Sequence, residues 1–270
     1  MNPVEALAGM IIEASGGSHV KAAFYTSLIA ALLTSLGSLG VIFVKRPRDI
    51  ESNSALLDVG MGFSSGVMTV ASFTSLLLPA IDMAGPWPAM VGFVLGAATI
   101  YVLNSIVPHE HFVKGYEGPT WGARKLRSAW LVAIAIIIHN LPEGLSIGAV
   151  TVYDVVKGTV LGVAIGIQDV PEGLSVALPI AIATGSKRLA VLVGVVSGFS
   201  EVVAAILASI VGSASSALLP YTLGFGAGAM MYVVSHEALP ESHRTGHEGK
   251  ATLGFFLGFL IMLYLDTVLG

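Results

Sequence analysis

Apolar residues run along this chain in long blocks rather than in the three-to-four-residue stripe of a helix resting on a soluble core. Eight blocks of about 20 residues hold neither Lys nor Arg, and about 20 is the length that a helix needs to cross a bilayer. They cover 24–44, 56–81, 87–107, 129–152, 158–183, 189–211, 218–239 and 251–269. Together they occupy about 170 of the 270 positions, which leaves no room for a folded domain outside the membrane. The pattern predicts an all-α, polytopic membrane protein, a single transmembrane unit over 1–270 with eight transmembrane helices.

Composition agrees: 54% of residues are hydrophobic, 11% are charged and the mean hydropathy is +0.84. An average soluble domain carries about 25% charge, so an ordinary soluble enzyme is excluded. The net charge of −4 says less than where the charges lie. Of the 13 basic residues, 11 fall in alternate loops: Lys45, Arg46 and Arg48; Lys114, Arg124, Lys125 and Arg127; Lys187 and Arg188; Arg244 and Lys250. Positive charge marks the cytoplasmic side, so both termini are expected outside the cytoplasm. Residues 1–22 lack a basic start and carry Glu5 and Glu13 among apolar residues, which predicts a short interfacial helix and not a cleaved signal. The stretch 104–128, with Pro108, His109, Glu110, His111, Gly115, Gly118 and Pro119, is expected to be a cytoplasmic loop. We read it as a solvated linker in preference to a metal-sensing histidine loop. Basic residues spread over four short loops, without interleaved aromatics, offer no nucleic-acid surface.

One short internal repeat carries the chemistry. Ile138-His139-Asn140-Leu141-Pro142-Glu143-Gly144-Leu145-Ser146 recurs as Ile167-Gln168-Asp169-Val170-Pro171-Glu172-Gly173-Leu174-Ser175. The copies sit in consecutive spans and therefore run antiparallel, as in inverted repeats that build a site from interrupted helices. Within each copy, residues three and four apart share a helical face. His139 and Asn140 thus join Glu143, while Gln168 and Asp169 join Glu172. Pro142 and Pro171 lack an N–H and free the carbonyls of Ile138 and Ile167, a feature of helices that line a cavity.

Glu143, Asp169, Glu172 and Glu201 lie inside the apolar blocks, whereas every Lys and Arg lies outside them. An acid at a helix centre costs about 2.5 to 3.5 kcal/mol to insert, so four together cost on the order of 10 kcal/mol. Protonation, water or a bound cation must offset that cost, and only a cation explains the ligand-type neighbours. With no cysteine, a metal must be held by His, carboxylate, amide or Met. Met68, in the second block, is either a plain core residue or a soft ligand. Histidine nitrogen with carboxylate oxygen suits Zn2+, Cd2+, Fe2+, Mn2+ or Co2+, and Glu143 and Glu172 are placed to bridge two ions.

At the paired motif the chain resembles the ZIP (Zrt/Irt-like) family of divalent-metal transporters, and is most similar to its bacterial GufA-like branch. The likeness covers essentially the whole chain. It implies uptake of metal into the cytosol across a bacterial inner membrane, by an elevator-type movement of one helix bundle against another. It further implies one metal held by Met68, His139, Glu143, Gln168 and Glu172, and a second by Asn140, Glu143, Asp169, Glu172 and Glu201. Asp82 would stand at the entrance, and His236, Glu237, His243 and His247 would form the cytoplasmic exit. Gln168 and Asp169 depart from the His and Asn that many members carry, trading a nitrogen for a carboxylate.

The alternatives belong to other classes. An intramembrane metallohydrolase has neither a His-Glu-x-x-His motif nor a Ser/His/Asp arrangement to stand on, so no enzyme is expected. A carrier in which the acids relay protons stays open, opposed by His139 and Met68. The glycines at 224, 226 and 228 allow close packing inside the protomer or across a homodimer.

Overall fold

The computed structural model describes residues 3–44, 47–111, 115–118 and 128–269, and within them each of the eight apolar blocks falls on a helix. Lys45, Arg46, Lys114, Arg124, Lys125 and Arg127, among the basic residues that orient the chain, lie outside the described residues. The helices are α1 (Pro3–Ser15), α2 (His19–Leu39), α3 (Pro47–Ala71), α4 (Leu78–Ala84), α5 (Pro86–Ile106), α6 (Ser128–Tyr153), α7 (Val155–Thr184), α8 (Lys187–Ala214), α9 (Leu219–Val233), α10 (Leu239–Ser242) and α11 (Glu248–Val268). Among the described residues, six helical stretches are long and apolar enough to cross a membrane: 19–43, 55–84, 86–106, 155–182, 187–214 and 248–268.

Local chemistry sets the boundaries. Gly16 and Gly17 take positive φ (57° and 83°) and end α1, after which the Ser18 hydroxyl accepts the Lys21 N–H and starts α2. The separate N-terminal helix is thus shorter than the stretch 1–22 expected, because capping by Ser18 assigns residues from His19 onward to the first long helix. A single residue, Asp154, separates α6 from α7, and its carboxylate accepts the Lys157 N–H at 2.9 Å. That tight connection lays the two motif copies side by side and antiparallel.

Two features differ from expectation. The helices carrying Pro142 and Pro171 continue through both prolines, since each removes one hydrogen bond and the turns on either side hold the ladder. The irregular turns are instead two π-helical segments, Ser72–Leu77 between α3 and α4 and Val234–Ala238 between α9 and α10. Such turns carry an extra residue, rotate the facing of the next helical turn and mark functional sites. In the loop after α5, His109–His111 pairs antiparallel with Gly115–Glu117 in a short hairpin. Pro108 and His109 are buried and the His109 Nδ1 lies 2.8 Å from the Val107 carbonyl, so this start of the loop is packed and not solvated.

The helices sort into two groups: α2, α6, α7 and α8 pack mainly on one another, while α3 packs on α11 and α5 on α9, and these two pairs join where the Ser72–Leu77 turn and α4 meet α9. Small residues set how closely they approach. A Cβ on Gly224 or Gly228 would strike the backbone of Ala89 or Phe93, so this glycine face is spent inside the chain, against α5. Between the groups lies a continuous apolar core that includes Val67, Met68, Ile147, Ile165, Met230 and Met262.

Candidate metal centre

The two motif copies meet where α6 and α7 lie side by side. On α6, His139 and Glu143 stand one turn apart; on α7, Glu172 faces them. The ligand atoms of these three residues all lie within 4.8 Å of one another. His139 Nε2 is 3.0 Å from Glu172 Oε1, and its Nδ1 is 3.2 Å from Glu237 Oε2. A neutral imidazole donates from one nitrogen only. With Nδ1–H given to Glu237, the Nε2 lone pair points at the acids, which is how a carboxylate orients a metal-binding histidine. Glu237 is itself fixed, since the Asn104 amide donates to its Oε1 at 2.6 Å.

One turn away, around Asn140, the arrangement is different. The Asn140 amide donates to Glu201 Oε1 and to Ser197 Oγ, each at 2.9 Å. The Thr34 hydroxyl, from α2, lies 3.0 Å from the same Glu201 oxygen and 3.2 Å from Asp169 Oδ2. Asn140, Asp169 and Glu201 thus form an oxygen-rich half beside the histidine-bearing half. The three residues and Glu143 are all buried, at most 3% exposed.

Whether these residues suit a cation can be judged from their unspent valences. Both carboxylate oxygens of Glu143, both amide atoms of Gln168, Glu172 Oε2 and Glu201 Oε2 are buried with no hydrogen-bond partner. An unpaired buried carboxylate is among the costliest arrangements a protein can hold. Among the described residues, no Lys or Arg pairs with Glu143, Asp169, Glu172 or Glu201. A divalent cation takes up such lone pairs directly, and nitrogen with oxygen donors is the set that Zn2+ and its neighbours accept.

The other expected ligands are scattered. Met68 is fully buried in the apolar core, and Ser64, one turn before it, donates to the Gln168 carbonyl at 3.2 Å, so its helix abuts the second motif copy. Asp82 is exposed near the end of α4, apart from the cluster. Glu237 is drawn into contact with His139, whereas His236 stacks on Tyr232 with ring centroids 5.0 Å apart. His243 Nε2 lies 3.0 Å from Thr252 Oγ1, and His247 Nδ1 lies 2.9 Å from Asp58 Oδ2, which also accepts from Thr245.

Several polar contacts of the apolar helices, inside the cluster and away from it, escape the sequence reading. Asp58 and Asp266, the latter accepting from Ser75 at 2.9 Å, lie inside apolar blocks, and the scan for embedded acids that finds Glu143 could find them. Thr34, Ser197 and Asn104 carry no such signal, since hydroxyls and amides in apolar helices usually serve local backbone bonds.

Residues 114–266 match the family model described as ZIP Zinc transporter. The chain is 39% identical over 277 residues to the zinc transporter ZIPB of Bordetella bronchiseptica, covering 98% of this chain and 87% of that protein. It is 38% identical over 263 residues to the zinc transporter GufA of Myxococcus xanthus, covering 92% and 99%. Similarity extends to the zinc transporter ZIP11 of Xenopus tropicalis, at 31% over 341 residues, covering 94% and 99%. Paired motif, buried acid cluster and likeness along nearly the whole length agree: the chain is an integral membrane protein of the ZIP family of divalent-metal transporters, in its GufA-like branch.

Proposed function

We propose that this protein carries Zn2+ or Cd2+, with Fe2+, Mn2+ and Co2+ as further candidates, into the cytosol through a binuclear site shared by α6, α7 and α8. The observation that carries this is the His139, Glu143 and Glu172 cluster, its two acids buried and its histidine partly so, with carboxylate oxygens left unpaired. His139, Glu143, Gln168 and Glu172, with Met68 closing the set, hold the first ion; Asn140, Glu143, Asp169, Glu172 and Glu201 hold the second. The zinc named in the relatives ZIPB and GufA favours that ion.

Transport follows from where the ligands sit. Every ligand except Met68 belongs to α6, α7 or α8, within the group α2, α6, α7 and α8. Sliding of that group against α3, α5, α9 and α11 would carry the ions past Met68 in an elevator-type cycle. A hydrated cation enters past Asp82 and exchanges water for His139, Glu143 and Glu172. Glu237, already on His139 Nδ1, is the nearest acceptor on the exit side; His236, His243 and His247 lie beyond it. Eight crossings with both termini outside the cytoplasm fit the distribution of Lys and Arg, and the likeness to bacterial relatives favours a bacterial inner membrane. No covalent step is involved, so the protein acts as a carrier and not as an enzyme. A homodimer would use a face other than the 224–228 glycines, which α5 and α6 cover.

The test is to purify the protein and count metal per chain by elemental analysis, with uptake into proteoliposomes measured in parallel. About two Zn2+ or Cd2+ per chain, falling in His139→Ala and Glu172→Ala, is the expected result. No bound metal, and thermal stability indifferent to added Zn2+ or Cd2+, would instead make the acids proton relays.

A further inference from the structure

No α2 residue belongs to the ligand set, yet α2 reaches the heart of the second half-site. The Thr34 hydroxyl lies against Asp169 Oδ2 (3.2 Å), Glu201 Oε1 (3.0 Å) and the carbonyl of Ala30 (3.0 Å), and Thr34 is 1% exposed. The two acids come from different helices, α7 and α8, and this hydroxyl from a third helix touches both. Its seat is built by two glycines. Gly173, one turn after Asp169, leaves room for the Thr34 carbonyl, which a Cβ there would strike. Gly198, one turn before Glu201, would bring a Cβ to 3.1 Å from the Thr34 Cβ. The slot is therefore cut from both ligand-bearing helices at the level of their acids.

We propose that Thr34 is a positioning residue that holds Asp169 and Glu201 together as the carboxylate pair of the second metal site. The proposal rests on the binuclear reading of the centre. Two carboxylates without a cation between them repel, and each is free to rotate about its side-chain bonds. The hydroxyl donates its one proton to one of the two carboxylates, and its lone pairs can accept from the other when that acid carries a proton. Together with the Asn140 amide it engages Glu201 Oε1, which leaves Glu201 Oε2 as the buried, unpartnered oxygen available to a metal. Such outer contacts orient the ligands and are worth roughly 10- to 100-fold in metal affinity. Among the described residues the hydrogen bonds of Thr34 go to Asp169, Glu201 and Ala30 and not to His139 or Glu172, so the first metal should be unchanged by its loss.

The experiment measures Cd2+ per purified full-length chain at graded free Cd2+, for wild type, Thr34→Val, Thr34→Ala and Thr34→Ser. The expected result is two ions in wild type, with the second weakened about tenfold or more in Thr34→Val and Thr34→Ala, the first unchanged, and Thr34→Ser close to wild type. Valine keeps the shape and loses the hydroxyl; alanine cannot crowd the slot, so an unfolded valine variant still leaves the question decidable. Two ions of wild-type affinity in both hydroxyl-free variants would overturn the role of Thr34 and leave the binuclear site standing. Parallel weakening of both ions, or no rescue by serine, would make Thr34 a general packing residue and overturn the proposal. A single ion in wild type would overturn the binuclear reading itself, and the proposal with it.

Discussion

In the half of the centre built on His139, Glu143 and Glu172, carboxylate oxygens face one another with one imidazole among them, and both Glu143 oxygens lack any partner. In the half built on Asn140, Asp169 and Glu201, the Asn140 amide and the Thr34 hydroxyl contact the acids, and the Ser197 hydroxyl accepts from the same amide. The first arrangement is costly without a cation, because desolvated carboxylates there have no donors. The second is met in part by the protein itself, through the Asn140 amide and the Thr34 hydroxyl, and leaves Glu201 Oε2 without a partner. A carrier must both seize and release its cargo, and the difference assigns these tasks. On the proposed binuclear reading, the half with more unspent valences would gain most from an ion and would serve transport, and the hydrogen-bonded half would suit a lasting occupant.

The division is tested most severely at Glu143, which both halves share. Glu143→Ala should abolish uptake in proteoliposomes and remove both ions, a loss of at least 100-fold, at expression equal to wild type. Unchanged uptake would show that the cluster is not the transport site. Glu201→Ala touches only the hydrogen-bonded half. It should lose the second ion while uptake persists in part, and two ions retained in that variant would erase the distinction between the halves.

A smaller effect sharpens how the open half is poised. Glu237→Ala removes the acceptor on His139 Nδ1, so the ring loses its orientation while every ligand of the first ion stays in place. The expected change is about tenfold weaker binding of the first ion with the second unaltered, read from Cd2+ titration. Equal binding would return Glu237 to a role in exit alone.

How far the sequence reveals this centre depends on the range of the forces involved. Spacing of three and four residues brings His139 to Glu143 and Asp169 to Glu172, because a helix decides that locally. Apolar blocks reveal the long helices for the same reason: bilayer thickness and backbone geometry set their length. The approach of Thr34 to Asp169 and Glu201, by contrast, depends on how α2 packs against α7 and α8, which Gly173 and Gly198 permit but do not announce. Contact between Glu237 and His139 likewise involves residues far apart in sequence, with a π turn between α9 and α10 at Glu237 itself. No periodicity encodes that turn. The hairpin after α5 is hidden for another reason: Pro108, His109 and Gly118 have the composition of a loop, and burial of His109 comes from packing against α6.

The smallest effect is expected farthest from the two halves, at the pair His247 and Asp58. Here Asp58 is buried and His247 half-buried, with Nδ1 2.9 Å from Oδ2, and Thr245 donates to the same oxygen. The pair ties the segment between α10 and α11 to α3 and shares no atom with the ligand cluster. His247→Ala leaves Thr245 as a donor to Asp58, so the acid keeps a partner, and a partly exposed pair of this kind is worth about 0 to 1 kcal/mol. The midpoint of thermal unfolding should fall only slightly, and both ions should bind as in wild type. Uptake is the informative readout: a rate within about twofold of wild type would make this contact a tether, since a change of about 0.4 kcal/mol or less corresponds to that factor. A much larger drop in rate, with metal binding intact, would show that His247 serves the exit path proposed for it and is more than a tether.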